Sequence, residues 1–441
     1  MLSLREAGAV NLLRSLLKHI PPVPVGDRWN KKTENFMIRH SSELFGELIV
    51  FDDGTMGFYD PEINDVLHAI STPRDADRFA LKRVAVELDN NFHLNSPLIA
   101  YIEVTRECNL TCKHCYIQAG DRMQNELNTD EIFALIDSLK ALNTFGVCIS
   151  GGEPFLHPDI FRILEYLEAN NFIVSLYTNG TLIDWSIVDR IARSCNINIS
   201  VDGYMMNKEI RGVDFEELKS TILMFKERGF NIWVNSTVMN NNLHDLERLF
   251  DWCIKNDINY GTASFSPLGR GRQFPELEMK EDMSEKAAEM YLKETINEEK
   301  YYAAAGAIIG KLLDLCYRIV NWSKRCKGSR SLMYIAANGD VYPCSLCAST
   351  SSYLMGNIRE RDLREIWQEG NHEFRKITWK DFSSCKSCRI DAQGIFCSLR
   401  CPVLSAEYNG DPLVCGATPF FKKSLLLRTE KFLEHNLIKS I

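Results

Sequence analysis

Three thiols lie within eight residues, at Cys108, Cys112 and Cys115. Thiolates are soft ligands, suited to iron–sulfur clusters, zinc or copper(I). A structural zinc wants four ligands and an ordinary cubane cluster four cysteines, yet the next cysteine, Cys148, follows only after a predicted helix. A 4Fe–4S cluster held by three cysteines leaves one iron open to a substrate or cofactor. Chance cysteines in a loop, or part of a zinc site, are the plainer alternatives. A second chemical stretch is Gly151-Gly152-Glu153-Pro154. Glycines at a strand end let a backbone approach a ligand, and the carboxylate beside them can accept hydrogen bonds from an ammonium group. A third set is C-terminal: Cys326, Cys344, Cys347, Cys385, Cys388, Cys397, Cys401 and Cys415. Within it, Cys385 and Cys388 alone could form half of a zinc ribbon.

From residue 96, strands and helices alternate around these groups. Residues 98–104 read as an apolar strand running straight into the cysteine loop. Asn128 and Glu131 make a capping-box start for a helix with Ile132, Leu135, Ile136 and Leu139 on one face. Residues 147–149 form a short buried strand that ends at the glycine pair. Helices over 158–169, 184–194, 215–228 and 243–255 alternate with strands over 173–177, 197–201, 231–238 and 260–266. Such alternation predicts an α/β fold, a partial parallel barrel of six strand-to-helix units. Its polar and glycine residues follow the strands, at the carboxyl ends where such barrels build their sites. Residues 276–322 read as largely helical. The remainder has short strands and turns, with a hairpin signal at Asn338-Gly339.

Before the barrel, residues 2–20 read as an amphipathic helix with Leu13, Leu16, Leu17 and Ile20 on one face, packing on its own domain rather than on a membrane surface. Residues 21–27 are a proline-rich turn. Strands over 46–51 and 55–59 flank a turn at 52–54, and Asp60-Pro61 starts a helix. The chain thus divides into an α+β cap (1–95), the barrel (96–280), a helical connector (281–325) and a cysteine-rich region (326–441).

Composition narrows the classes. The 441 residues suffice for two or three domains, and the net charge of −8 advertises no nucleic-acid surface. No run of about 18 apolar residues suggests a membrane span. Fifteen cysteines without a secretory signal point to metal or catalysis in a reducing cytoplasm rather than to disulfides. Cys148, Cys195 and Cys253, on apolar faces, read as core.

The CxxxCxxC spacing, with His114 just before the last cysteine, resembles the radical S-adenosylmethionine (SAM) superfamily. That resemblance implies a TIM-like partial (β/α)6 barrel and a cluster on Cys108, Cys112 and Cys115 whose open iron chelates the amine and carboxylate of SAM. One electron then cleaves SAM to methionine and a 5′-deoxyadenosyl radical. Gly151, Gly152 and Glu153 follow the second strand, as the family's GGE stretch does, and would hold the methionyl amine. Ser200 and Arg211 match the fourth-strand region that contacts SAM's carboxylate and ribose; a surface salt bridge is the other reading of Arg211. Asn179 and Asn235 are weaker candidates. The C-terminal array resembles the SPASM extension, which binds two auxiliary 4Fe–4S clusters. By that likeness Cys326, Cys344 and Cys401 would hold the inner cluster, and Cys385, Cys388, Cys397 and Cys415 the outer one. Eight residues separate Cys388 from Cys397 where the family usually has five. The inner cluster's fourth ligand is undecided: some relatives have a cysteine where this chain has Leu332; Cys347 could serve, or the position could be open for substrate.

SPASM enzymes mostly modify peptides or proteins. Sulfatase-maturating relatives carry an aspartate, a natural proton acceptor, where this chain has the neutral Ser345. The expected function is therefore crosslink or thioether formation in a ribosomally made peptide, with a flavodoxin- or ferredoxin-type electron donor. The strand–turn–strand–helix near residue 60 resembles winged-helix modules that hold a precursor's leader; a plain structural cap is the alternative. Modification of a small cofactor precursor, such as a porphyrin side chain, is the second enzymatic reading. An iron–sulfur electron carrier or sensor is the non-enzymatic one, and an electron carrier has no use for the GGE stretch.

Overall fold

The structure, a computed structural model, describes residues 37–43, 46–51, 56–60, 65–68, 93–302, 326–370, 372–383 and 400–435. The helix expected at 2–20 and the turns at 21–27 and 52–54 lie outside them.

Near the N-terminus, β1 (Met37–Glu43), β2 (Gly46–Phe51), β3 (Met56–Asp60) and β4 (Asp65–His68) form a four-stranded antiparallel meander in that order. The two strands expected here are β2 and β3. The helix expected from Asp60 is corrected: residues 65–68 pair with β3, Asp65 opposite Asp60 and Leu67 opposite Phe58. Ladder pairing and the period-two placing of Val66 and His68 outweigh the helix-starting tendency of Asp-Pro. With β1 and β4 flanking it, the β2–β3 hairpin has no free edge.

The second sheet has nine strands. β5 (Ile99–Glu103), β6 (Gly146–Ser150), β7 (Ile173–Thr178), β8 (Asn196–Ser200), β9 (Asn231–Val238) and β10 (Asn259–Ser264) run parallel in sequence order. On the other side of β5 lies β11 (Leu332–Ile335), parallel to it, then β12 (Asp340–Tyr342) and β13 (Gly356–Asn357), antiparallel. Gly339, at φ +88°, turns the β11–β12 hairpin, as Asn338-Gly339 leads one to expect. The six strands of the barrel are those read from the sequence. It is partial and not closed.

Helices cover one face of the sheet. α1 (Thr129–Ala141) carries the Asn128/Glu131 capping box and buries Ile132, Leu135, Ile136 and Leu139. α2 (Ile160–Ala169), α3 (Asn207–Arg211), α4 (Phe215–Glu227), α5 (Leu243–Lys255) and α6 (Ser284–Tyr302) follow. The helix expected at 184–194 is absent; only a single 3-10 turn, Val188–Arg190, forms there. Asp184 accepts hydrogen bonds from the Ser186 N–H at 2.9 Å and hydroxyl at 2.6 Å, a local turn that competes with helix. The C-terminal region adds α7 (Ser345–Ser349), α8 (Leu363–Glu369), α9 (His372–Lys376), α10 (Pro402–Asn409) and α11 (Pro419–Glu434).

Strand periodicity sorts the two sheet faces. Ala100, Ile102, Val147, Ile149, Leu176, Ile197, Ile199 and Val234 are buried in the core against the helices. Alternate positions, Tyr101, Ser175, Tyr177, Asn198, Trp233 and Asn235, point to the concave side. A one-residue slip would exchange the two sets, and burial at about 1.5–3 kcal/mol per large aliphatic side chain fixes the register. The β10 edge is covered by α6. There Glu294 accepts from the Thr262 N–H at 2.8 Å and from its hydroxyl at 2.6 Å, taking the place of a further strand.

Candidate active site

The cysteine loop leaves the carboxyl end of β5 and is closed at its base. The Cys108 N–H donates to the Gly120 carbonyl at 2.8 Å, and the Gly120 N–H to the Arg106 carbonyl at 3.1 Å. The GGE stretch, at the end of β6, sits directly on this base. The Gly152 N–H donates to Thr105 O and the Glu153 N–H to Glu107 O, both at 2.8 Å. A Cβ on Gly151 would stand 2.4 Å from Thr105 O, and one on Gly152 2.1 Å from Glu107 O. What these glycines approach is therefore the backbone carrying the cysteines.

Glu153 is fully buried. Its carboxylate accepts from the Thr178 hydroxyl and the Asn179 N–H, each at 2.7 Å, and from the Phe155 N–H at 3.2 Å. Burial pushes its carboxyl up to about 7 against these bonds. So the side chain ties β6 to the end of β7. Asn179 continues the brace, its amide donating to Asn109 in the cysteine loop at 2.8 Å.

Cys112 is buried and Cys108 and Cys115 half-buried. Burial pushes the Cys108 thiol up to about 11. It also raises Cys112, while the Arg211 guanidinium beside it opposes the rise. Arg211 lies 3.8 Å from the Cys112 sulfur and, through Nε, 2.6 Å from Asp202 Oδ2, off the line of a hydrogen bond. Asp202, fully buried, also faces His114 at 3.3 Å. Burial and the arginine push His114 down to about 4, so its ring is neutral. Arg211 is thus no surface ion pair. Ser200 ends β8 opposite Asn235, two residues before Asp202. Asn235 donates to Asn198 at 3.0 Å and Asn198 to Ser175 at 2.6 Å on the concave face.

In the C-terminal region Cys326, Cys344, Cys347 and Cys401 gather in one cluster with Leu268, Tyr334 and Val403. The Cys344 and Cys347 sulfurs are 3.7 Å apart. That contact draws the Cys344 thiol down and drives Cys347 well up. Burial pushes Cys401 up to about 12, with Cys344 and Cys326 adding to the rise. Leu332 is buried within β11 and offers no donor. Cys415 is half-buried; Cys385, Cys388 and Cys397 lie outside the described residues. Cys148, Cys195 and Cys253 are buried, as expected of core thiols. Among the described residues no three metal-binding side chains converge on a single-ion site.

Sequence reasoning missed two supports of the cysteine loop. Tyr116 is half-buried, its hydroxyl bonded to Ser345 and pushed up to about 12 by desolvation. Arg270, just after β10, donates to carbonyls of the loop. The glycine–arginine alternation at 269–272 was the available signal.

The donor sets fit iron–sulfur clusters. Each site presents several buried or half-buried thiols, and at the first a buried guanidinium can offset the negative charge of thiolates. Residues 102–253 match the family model described as the radical SAM superfamily, and residues 326–389 that of the SPASM iron-sulfur cluster-binding domain. An AdoMet-dependent heme synthase of Methanosarcina barkeri is 26% identical over 343 residues, covering 73% of this chain and 97% of that protein. The mycofactocin maturase MftC of Mycobacterium tuberculosis is 25% identical over 334 residues, covering 73% and 82%. Among solved structures, SuiB of Streptococcus suis bound to S-adenosylmethionine superposes with a TM-score of 0.59 at 17% identity, covering 88% of this chain and 99% of that one. SuiB bound to its precursor peptide SuiA gives 0.59 at 20% identity, covering 82% and 84%. The radical SAM domain brings a 4Fe–4S cluster and SAM as cofactors, and the SPASM domain brings auxiliary iron–sulfur clusters. No helix among the described residues is long and apolar enough to cross a membrane. The chain thus carries a radical SAM domain followed by a C-terminal SPASM domain, the make-up of a radical SAM enzyme.

Proposed function

We propose that this enzyme modifies a ribosomally made peptide, forming a crosslink or thioether on the concave side of the barrel. Cys108, Cys112 and Cys115 hold the catalytic cluster; Gly151, Gly152, Ser200 and Arg211 line the SAM position, and Glu153 fixes the glycine stretch from behind. When bound, cluster and SAM supply a hydrogen-abstracting radical. Cys326, Cys344, Cys347 and Cys401 hold the inner auxiliary cluster. Cys385, Cys388, Cys397 and Cys415 hold the outer one, and a flavodoxin- or ferredoxin-type protein donates the electron.

One observation carries the substrate class. Strands β5 to β10 contain no lysine or arginine. At the mouth, Arg106 is paired with Glu103 and Arg211 with Asp202, and Arg270 is bonded to loop carbonyls. The concave face instead carries neutral polar side chains, Ser175, Asn198 and Asn235, hydrogen-bonded to one another. A porphyrin bearing carboxylate side chains would call for cationic partners. The fold likeness to SuiB bound to S-adenosylmethionine also covers more of the chain than residues 96–441 can supply, so it extends into the N-terminal residues. The SuiB structures include one with a precursor peptide.

The second reading, modification of a tetrapyrrole precursor, rests on the heme synthase relatives, which the chain covers almost end to end. The test incubates reconstituted, reduced protein and SAM with a peptide encoded beside its gene, and in parallel with iron-coproporphyrin. Loss of a hydrogen pair from the peptide, read by intact mass, is the expected result. Turnover of the porphyrin alone would establish the second reading.

A further inference from the structure

The segment after β10 does more than connect it to α6. The Arg270 N–H donates to the Cys115 carbonyl at 3.0 Å. Its guanidinium donates through Nη1 to the Cys112 carbonyl at 2.9 Å and through Nη2 to the Ala119 carbonyl at 2.5 Å. One residue thus collects three carbonyls of the cysteine loop from a position more than 150 residues away in sequence. Gly269 makes the approach possible. At φ +54° it occupies the left-handed region, and a Cβ there would stand 2.3 Å from the Tyr116 carbonyl. Two residues on, Arg272 forms a two-pronged ion pair with Glu407 of α10, both bonds 2.7 Å. The residue capping the start of α10 is Cys401.

We infer that Arg270 is the positioning residue of the catalytic-cluster loop: it holds the main chain around Cys112 and Cys115 in cluster-binding shape and places a positive charge beside the cluster. The inference rests on reading Cys108, Cys112 and Cys115 as the cluster's ligands. Three bonds to carbonyls orient the loop without using any thiol, so all three sulfurs stay available as ligands. A planar fork reaches two carbonyls at once, which a lysine ammonium on a single stem does not. The fixed cation favours the reduced, more negative cluster, so its removal lowers the reduction midpoint.

The test compares full-length wild type, Arg270→Ala, Arg270→Lys, Gly269→Ala and the Cys108/Cys112/Cys115→Ala triple variant. All are reconstituted anaerobically, with circular dichroism to verify folding. Iron per chain and the electron paramagnetic resonance signal that shifts on adding SAM are the readouts. The triple variant defines that signal. If wild type lacks a SAM-responsive signal that the triple variant removes, the ligand reading itself fails, and the inference with it. With the signal established, Arg270→Ala should lose most of it and about four irons per chain, one cubane. Gly269→Ala, which changes no charge, should lose the same cluster. Arg270→Lys should retain the cluster in part, with a midpoint near wild type, whereas the residual cluster of Arg270→Ala titrates lower. If Arg270→Ala fails to fold, Gly269→Ala and Arg270→Lys decide. Full iron and an unchanged signal and midpoint in the folded variants would overturn the proposal.

Discussion

Arg211 and Asp202 face each other across 2.6 Å in a buried setting, and the same guanidinium reaches the Cys112 sulfur at 3.8 Å. The pair therefore joins the end of β8 to the cysteine loop. Asp202→Asn leaves the arginine charged, buried and unpaired, and should lower unfolding free energy by about 3–5 kcal/mol. The double variant Asp202→Asn/Arg211→Met should recover much of that, since no lone charge remains. Urea unfolding checks both. Equal losses in the single and double variants would show that the pairing contributes nothing.

Replacing Cys108, Cys112 and Cys115 together by alanine should abolish 5′-deoxyadenosine formation and leave about eight of about twelve irons. Iron analysis and chromatography of SAM products measure this. Undiminished SAM cleavage would remove these residues from the mechanism.

Cys347 lies 3.7 Å from Cys344, so Cys347→Ala should cost the inner auxiliary cluster. Iron should fall by up to about four per chain while the SAM-responsive signal persists. A variant that keeps all its iron and an unaltered auxiliary signal would leave the fourth ligand to another group.

Arg359 of the C-terminal region donates to both oxygens of Glu131, at 2.6 and 2.8 Å, across 228 positions of sequence. These bonds hold the Glu131 carboxyl down at about 2, against an ordinary 4.5. A depressed carboxyl stabilises the fold above its unfolded value and loses that contribution as pH falls through the folded one. Arg359→Ala should therefore be less stable at neutral pH by about 0.5–1 kcal/mol. The gap should close between pH 4.5 and about 2. Thermal unfolding across this window checks the sign; a gap that widens on acidification contradicts it.

Among the described residues, β1 and β4 are the edge strands of the N-terminal sheet, and a leader peptide that docks on this region would pair with one of them. Leu94, by contrast, is buried and its N–H donates to the Arg330 carbonyl at 2.8 Å, so a truncation should stop at residue 92. The shortened protein should still cleave SAM but fail to modify the precursor peptide, read by intact mass. Equal modification by both forms would end the leader-binding role.

Much of the site was legible because its residues are close in sequence. The cysteine spacing, the GGE stretch after the second strand and the strand order need only local pattern. Gly151 and Gly152 were recognisable as a close approach, but what they approach is the backbone at Thr105 and Glu107, a tertiary fact. Arg270 and Arg359 act on partners more than 150 residues away, and no local periodicity reports that. At 184–194, Trp185, Val188 and Ile191 have helical spacing, yet Trp185 packs on Phe225 of α4 and Asp184 turns the chain instead. Near residue 60 the Asp-Pro signal was real but weaker than pairing with β3.

The pairing of β11 with β5 has a consequence for biosynthesis. The bond from the Tyr334 hydroxyl to Glu103 spans 231 positions. At about 5–20 residues per second, β5 leaves the ribosome tens of seconds before the strand that flanks it. Throughout that interval one side of β5 presents unsatisfied backbone groups beside a loop of reactive thiols, a surface open to strand addition by other chains. The nascent protein should therefore depend on chaperone shielding until about residue 340 has emerged, and chains truncated before β11 should aggregate rather than yield a smaller enzyme.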